Sequence, residues 1–203
     1  MIIIQKQRFK TFFNRYQGIH SMVEIRFHGR GGQGTVVASV ILARALFKNN
    51  YNVQTFPSFG VERRGAPVEA YLRLAQEDIS VRSNVYTPDH IVVQDRKLFD
   101  TAPVMTGLKS NGWIILNAPN SFELPLTCKD YPVARIDAAQ IARKHGLGTQ
   151  THPIINTAMV GAFARTLEMP TIDSLIEAIQ EEIPVKASAN IAAAKEAFEM
   201  VSL

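Results

Sequence analysis

The chain has 203 residues, 46% hydrophobic and 20% charged, which is the composition of one globular domain with a buried core. No apolar run approaches the ~20 residues of a membrane-spanning helix, so we expect no membrane contact. The single cysteine, Cys128, can form no internal disulfide and cannot alone hold zinc or an iron–sulfur cluster. We therefore expect a cytoplasmic protein of a reducing compartment, in which any redox centre belongs to a ligand or a partner.

The net charge of +4 is concentrated at the amino terminus, where residues 1–21 contain four basic side chains and no acidic one. Without those four, the 22 basic residues fall to 18, equal to the 18 acidic ones, so we expect no nucleic-acid partner. Residues 1–21 are predicted to be an extension: a transit-like peptide, a partner-binding arm, or a stretch upstream of the true start. Met22 directly precedes the first strand, which favours the last, and residues 22–203 are predicted to form one domain.

The first part of the chain alternates between strand and helix patterns. A helix is predicted over 35–47, after the first strand. The predicted strands are 23–27, 51–56, 68–74, 91–93, 113–116 and 132–136. The alternation in 68–74 is typical of a strand with one exposed face, and the apolar runs at 91–93 and 113–116 are typical of central parallel strands.

The second part is predicted to be helical. Asp137 is a candidate N-cap for a helix that ends before Gly146. Thr171 or Asp173 is a candidate N-cap for a second helix, which ends at Glu182. Two further helices are predicted over 156–167 and 187–201. Strands alternating with helices, then helices alone, predict a three-layer α/β/α Rossmann-like single domain with a parallel or mixed sheet and a helical C-terminal part.

The stretch HGRGGQGTV (residues 28–36) joins the first strand to the first helix. Its glycines fit the dinucleotide spacing G-x-G-x-x-G, and the helix N–H groups after it suit a phosphate or carboxylate. Arg30 adds charge and Gln33 adds a hydrogen-bonding side chain. The candidate ligand or interface residues here are Gly29, Arg30, Gly31, Gly32, Gln33 and Gly34.

A dinucleotide site also needs an acidic residue at the end of the second strand, about 20 residues on. That strand ends near Thr55 and Phe56, and Glu62 lies beyond Pro57 in a loop, so an NAD or FAD site is disfavoured. Two other interpretations stay open. The glycines serve packing alone, or they let the backbone approach a phosphate-bearing ligand or a partner's loop.

The stretch PSFGVERRGAP (residues 57–67) sets two arginines between two glycines. Guanidinium groups on a constrained loop suit anionic oxygens, which they bind in a planar, bidentate manner. The alternative is that Glu62 pairs with one arginine on a solvated loop. The candidate residues are Phe59, Gly60, Glu62, Arg63, Arg64 and Gly65.

Two further polar residues lie where strands end or helices begin. Asp95 follows the predicted strand 91–93, where it either faces a ligand at the carboxyl edge of the sheet or caps the next helix. Asn156 lies at a predicted helix start. No residues fall at metal-ligand spacing or form a nucleophile pair, so the sequence predicts no complete catalytic set.

The two loops resemble a known family. FHGRGGQGTVVAS followed by PSFGVERRGAPVEAYLRL is similar to the gamma subunit of 2-oxoacid:ferredoxin oxidoreductases, the pyruvate enzyme above all, which is an internal domain in the single-chain enzymes. DHIVVQD, GWIILN, RIDAAQIA and INTAMVGAFA fit the same family in the same order. The resemblance runs from Met22 to about Val201.

The resemblance implies an enzyme complex that converts an oxoacid, coenzyme A and oxidised ferredoxin to acyl-CoA, CO2 and reduced ferredoxin. Thiamine diphosphate, Mg²⁺ and iron–sulfur clusters are then on partner subunits of alpha, beta and delta type, and this chain is inactive alone. The loops Gly29–Gly34 and Phe59–Gly65 would shape the active-site entrance or contact coenzyme A.

The segment ERRGAP favours the branch of the family that acts on pyruvate over the branches that act on 2-oxoglutarate, indolepyruvate or phenylglyoxylate. A stand-alone Rossmann-type nucleotide-binding oxidoreductase is the less favoured alternative.

Overall fold

A computed structural model describes residues 22–58 and 65–203. In this part of the chain six strands form one sheet, and helices lie between and after them. The strands are β1 Met22–Arg30, β2 Asn52–Pro57, β3 Pro67–Ala75, β4 His90–Val93, β5 Ile114–Asn117 and β6 Val133–Ile136. The helices are α1 Thr35–Lys48, α2 Leu98–Thr101, α3 Ala138–Lys144, α4 Asn156–Leu167, α5 Ile172–Glu182 and α6 Ala187–Met200, with a 3-10 turn at Leu126–Cys128.

The sheet is mixed, with the strand order β2-β3-β1-β4-β5-β6. Strands β1, β4, β5 and β6 are parallel, whereas β3 runs antiparallel to both β1 and β2. The chain leaves β1 towards β2 and β3, then returns to β4 on the other side of β1. Loops therefore diverge at the carboxyl ends of β1 and β4, the switch point at which open α/β sheets bind ligands.

The two faces of the sheet are covered differently. Val92 and Ile115 face the main core, which is closed by α1 and the C-terminal helices. Their neighbours Ile91 and Ile114 face a smaller core, to which α2, the 3-10 turn and loops contribute. The predicted α/β fold with a helical C-terminal part is confirmed, and the second covering layer is thin.

The prediction that one face of β3 is exposed is wrong. Arg73 and Tyr71 are 0% and 3% exposed. Tyr71 packs against Phe56, and residues 76–89, here called the covering loop, cover Arg73. Arg73 donates hydrogen bonds to the main-chain oxygens of Val81, Ser83 and Asn84 in this loop. A strand pattern identifies which residues share a face, but not what packs on that face.

Two helices begin as the sequence predicts. The Asp137 carboxylate accepts a hydrogen bond from the Gln140 N–H at 2.9 Å. At α5 the cap is Thr171 rather than Asp173, since the Thr171 hydroxyl accepts from the Ser174 N–H at 3.3 Å. Within the described residues, the helices are too short or too polar to span a membrane.

Acidification is expected to destabilise the fold through His90, which is fully buried on β4. Its Nδ1 accepts a hydrogen bond from the Trp113 N–H at 3.0 Å, so the imidazole is neutral, and burial lowers its pKa to about 4. Below the ordinary histidine value of 6.5 the unfolded chain binds a proton that the folded chain does not. Stability should fall as pH drops through this window, by up to about 1.4 kcal/mol per pH unit.

The measurement is urea unfolding of the wild type and His90→Asn at several pH values across this window. The asparagine oxygen can accept the same hydrogen bond without titrating. The pH dependence should therefore be smaller in the variant, and equal slopes would exclude His90 as the cause.

Candidate functional site

The glycine loop turns the chain from β1 into α1 at the carboxyl edge of the sheet. Gly32 and Gly34 have φ of +95° and +77°, a left-handed conformation that other residues adopt only with strain. Gly34 is also the N-cap residue of α1, and no side chain among the described residues caps this helix. The first N–H groups of α1 and the positive end of its dipole are therefore at this edge.

Gly29 and Gly34 are also required by close packing. A Cβ on Gly29 would overlap Thr35 Oγ1 and lie 2.5 Å from Gln94 Oε1, and one on Gly34 would lie 2.8 Å from Asn156 Nδ2. Gly32, by contrast, has no atom within 4 Å of its would-be Cβ, and it is exposed. Packing thus accounts for two glycines of the loop, while Gly32 shapes the turn.

The structure brings the two predicted loops together. The Gly31 N–H donates to the Ala66 oxygen at 3.0 Å, and the Gly65 N–H donates to the Gly31 oxygen at 3.2 Å. Arg30 Nη1 donates to the Gly65 oxygen at 3.1 Å. The end of the second loop is therefore bonded to the first. Five predicted residues lie outside the described part of the chain: Phe59, Gly60, Glu62, Arg63 and Arg64.

Asp95 lies at the end of β4, as predicted, and has two roles. Its Oδ1 accepts from the Lys97 N–H at 2.9 Å, which supports the turn before α2. Its Oδ2 forms an ion pair with Arg30 Nε. Arg30 is thus held by Asp95 and Gly65, and its charge is partly compensated.

The site also contains a residue that the sequence analysis missed. Gln94 is fully buried between β1 and β5, where its Oε1 accepts from the Thr35 hydroxyl at 2.6 Å and its main-chain oxygen from Asn117 Nδ2 at 2.8 Å. Among the described residues, Gln94 Nε2 has no hydrogen-bond partner. The only sequence signal was a polar residue directly after the apolar run Ile91-Val92-Val93.

Helix α4 also begins at this edge. Asn156 is its first residue, is 3% exposed, and packs against Gly34. The site is therefore a backbone surface where α1 and α4 begin, framed by polar side chains. The described residues include no group of three or more His, Cys, Asp or Glu that could hold a metal ion.

Comparison with known proteins identifies the family. The sequence model of the pyruvate ferredoxin/flavodoxin oxidoreductase family matches residues 24–200. The chain belongs to this family. The resemblance expected from the two loops is confirmed.

Relatives of this oxidoreductase family match the chain over nearly its whole domain. The pyruvate synthase subunit PorC of Methanothermobacter marburgensis is 48% identical over 179 residues, which cover 88% of this chain and 97% of that protein. The Thermococcus kodakarensis "Pyruvate/ketoisovalerate oxidoreductases common subunit gamma" is 46% identical, over 87% of this chain and 96% of that protein. The crystal structure of the pyruvate oxidoreductase subunit PORC of Thermotoga maritima has a TM-score of 0.75 at 29% identity, covering 90% of this chain and 98% of that one.

Proposed function

We propose that this chain is the gamma subunit of a thiamine-diphosphate-dependent 2-oxoacid:ferredoxin oxidoreductase complex, with pyruvate as the first candidate substrate. The complex would form acyl-CoA, CO2 and reduced ferredoxin from an oxoacid, coenzyme A and oxidised ferredoxin. The observation that carries this proposal is the 48% identity to a pyruvate synthase subunit over 97% of that protein's length.

The cofactors of the reaction are assigned to other subunits. A chain with one cysteine cannot supply the four thiolates of an iron–sulfur cluster. We assign thiamine diphosphate, Mg²⁺ and the clusters to alpha-, beta- and delta-type partners, with ferredoxin as electron acceptor, in the cytoplasm. The isolated chain is expected to be inactive.

The gamma subunit is proposed to leave the choice of oxoacid to its partners. The Thermococcus relative is named as a subunit common to pyruvate and ketoisovalerate oxidoreductases, and it is 46% identical to this chain. A ketoisovalerate-type enzyme is therefore the second candidate. Assay of the purified complex with both oxoacids separates the two.

We assign the joined loops to the coenzyme A entrance. The glycine loop leads into the start of α1, whose first N–H groups and dipole suit phosphate oxygens. The second loop carries Arg63 and Arg64, two cations that suit the same oxygens. Its carboxyl end, at Gly65, is bonded to Gly31.

The test is the double variant Arg63→Ala/Arg64→Ala in the intact complex. Because each lost charge-assisted hydrogen bond costs about 1.5–3 kcal/mol, the KM for coenzyme A should rise roughly tenfold or more, with the KM for pyruvate unchanged. Arg82→Ala is the matched control, since Arg82 is exposed on the covering loop. Steady-state kinetics with each substrate varied in turn gives both constants.

Two outcomes would contradict parts of the proposal. If the double variant prevents only assembly of the complex, the arginines are interface residues. Stoichiometric binding of NAD or FAD by the purified chain would instead favour the stand-alone oxidoreductase.

A further inference from the structure

We infer that Glu69 is a positioning residue that holds the starting points of both loops, an inference that rests on the proposed function of those loops. Glu69 is on β3, directly opposite His28 on β1 in the sheet register. His28 lies two residues before the end of β1 at Arg30, after which the glycine loop turns towards α1. Ser58 is the last described residue before the second loop. Glu69 contacts both.

Two hydrogen bonds and one close imidazole–carboxylate contact converge on Glu69. Its main-chain oxygen accepts from the Ser58 N–H at 2.9 Å. Its carboxylate lies 3.3 Å from His28 Nδ1 and accepts from the Tyr71 hydroxyl at 2.8 Å. The start of the second loop is therefore tied to Glu69 through its main chain.

The His28 side of this network is equally constrained. His28 is 2% exposed, and its Nε2 accepts from Arg26 Nε at 2.9 Å, so the Nδ1 proton faces Glu69. Burial lowers the pKa of His28, and the hydrogen bond from His28 lowers the pKa of Glu69 to about 2. The pair is thus a neutral imidazole donating to a carboxylate at neutral pH.

Arg26 fixes the far end of the network. Its guanidinium donates to the main-chain oxygens of Val85, Val104 and Thr106, at 3.3, 3.2 and 2.6 Å. These oxygens lie in the covering loop and the segment after α2. Contacts therefore run from Arg26 through His28 to Glu69. At one end they reach the main chain of the covering loop and of the segment after α2, and at the other they reach the residues that precede the two loops.

A purely structural role would explain this arrangement less well. Burying the Arg26 guanidinium and the His28 imidazole beside a half-buried carboxylate costs desolvation energy that apolar side chains on the same face would avoid. The Glu69 carboxylate adds directional constraint on His28, and the Glu69 main-chain oxygen holds Ser58. That constraint is useful where two loops must keep one relative position.

The test compares Glu69→Gln with Glu24→Gln. Glu24 is the control, because it is also a carboxylate on this face of the sheet and is bonded to Arg73 rather than to a loop. Glu69→Gln should speed amide hydrogen exchange of Gly31 and Gly65 in the full-length chain roughly tenfold. In the complex it should raise the KM for coenzyme A severalfold, with kcat and the KM for pyruvate unchanged. Glu24→Gln should leave the amide exchange rates, both KM values and kcat as in the wild type.

The two readouts separate this inference from the proposed function. Faster exchange with an unchanged coenzyme A KM would support positioning by Glu69 and count against the coenzyme A assignment. If the amide exchange rates of Gly31 and Gly65 are the same in Glu69→Gln as in Glu24→Gln, the positioning role is overturned. If Glu69→Gln does not fold, Tyr71→Phe removes only the Tyr71 hydroxyl and should produce a smaller change of the same sign.

Discussion

Replacement of Arg73 by methionine is expected to lower the free energy of unfolding by about 3–5 kcal/mol, because it leaves a buried network without its cation. The Arg73 side chain is 1% exposed and donates to Glu24 Oε1 at 2.8 Å and to Gln54 Oε1 at 2.9 Å. It also binds three main-chain oxygens of the covering loop. Methionine fills much of the space but donates none of these bonds. Equilibrium unfolding in urea measures the loss.

Two companion variants make this result specific. Arg82→Met changes an exposed arginine of the covering loop and should alter stability by less than about 0.5 kcal/mol. Arg73→Met/Glu24→Leu removes both charges and should recover part of the lost unfolding free energy, because no unpaired Glu24 carboxylate remains. A double variant no more stable than Arg73→Met would show that the covering-loop contacts, rather than the ion pair, dominate.

Gly161→Ala is expected to destabilise the chain by about 2–3 kcal/mol, although alanine favours helix over glycine by about 1 kcal/mol. Gly161 lies in α4 where it crosses α6, and a Cβ there would overlap the main-chain oxygen of Ala194 and lie 2.8 Å from its carbonyl carbon. Main-chain atoms cannot escape by a rotamer change, so the helices must separate. Thermal and urea unfolding of the purified chain measure the effect.

Gly146→Ala is the control for this substitution. Gly146 has φ of +65° and no atom within 4 Å of its would-be Cβ, so its replacement costs only backbone strain of about 1–2 kcal/mol. If Gly161→Ala is as stable as the wild type, the close crossing of α4 and α6 does not require glycine.

Several features of the site depended on distant contacts. Sequence placed the glycine loop between β1 and α1 and Asp95 at the end of β4, because strand and helix patterns bound these positions. It did not indicate that Asp95 pairs with Arg30, or that Gln94 meets Thr35. These partners are 65 and 59 residues apart, and no local pattern relates them.

The sequence by itself determined the order of strands and helices, the glycine turn, the Asp137 cap and the family. Side-chain periodicity, capping and backbone conformation depend on residues within about one helical turn or strand, so they can be inferred from neighbours. Only the tertiary structure decided that Arg73 is buried, that Gly31 bonds to Gly65 and Ala66, and that Glu69 contacts both His28 and Ser58. Each of these depends on the chain's path across the sheet, because the energy of a buried polar group is set by partners far away in sequence.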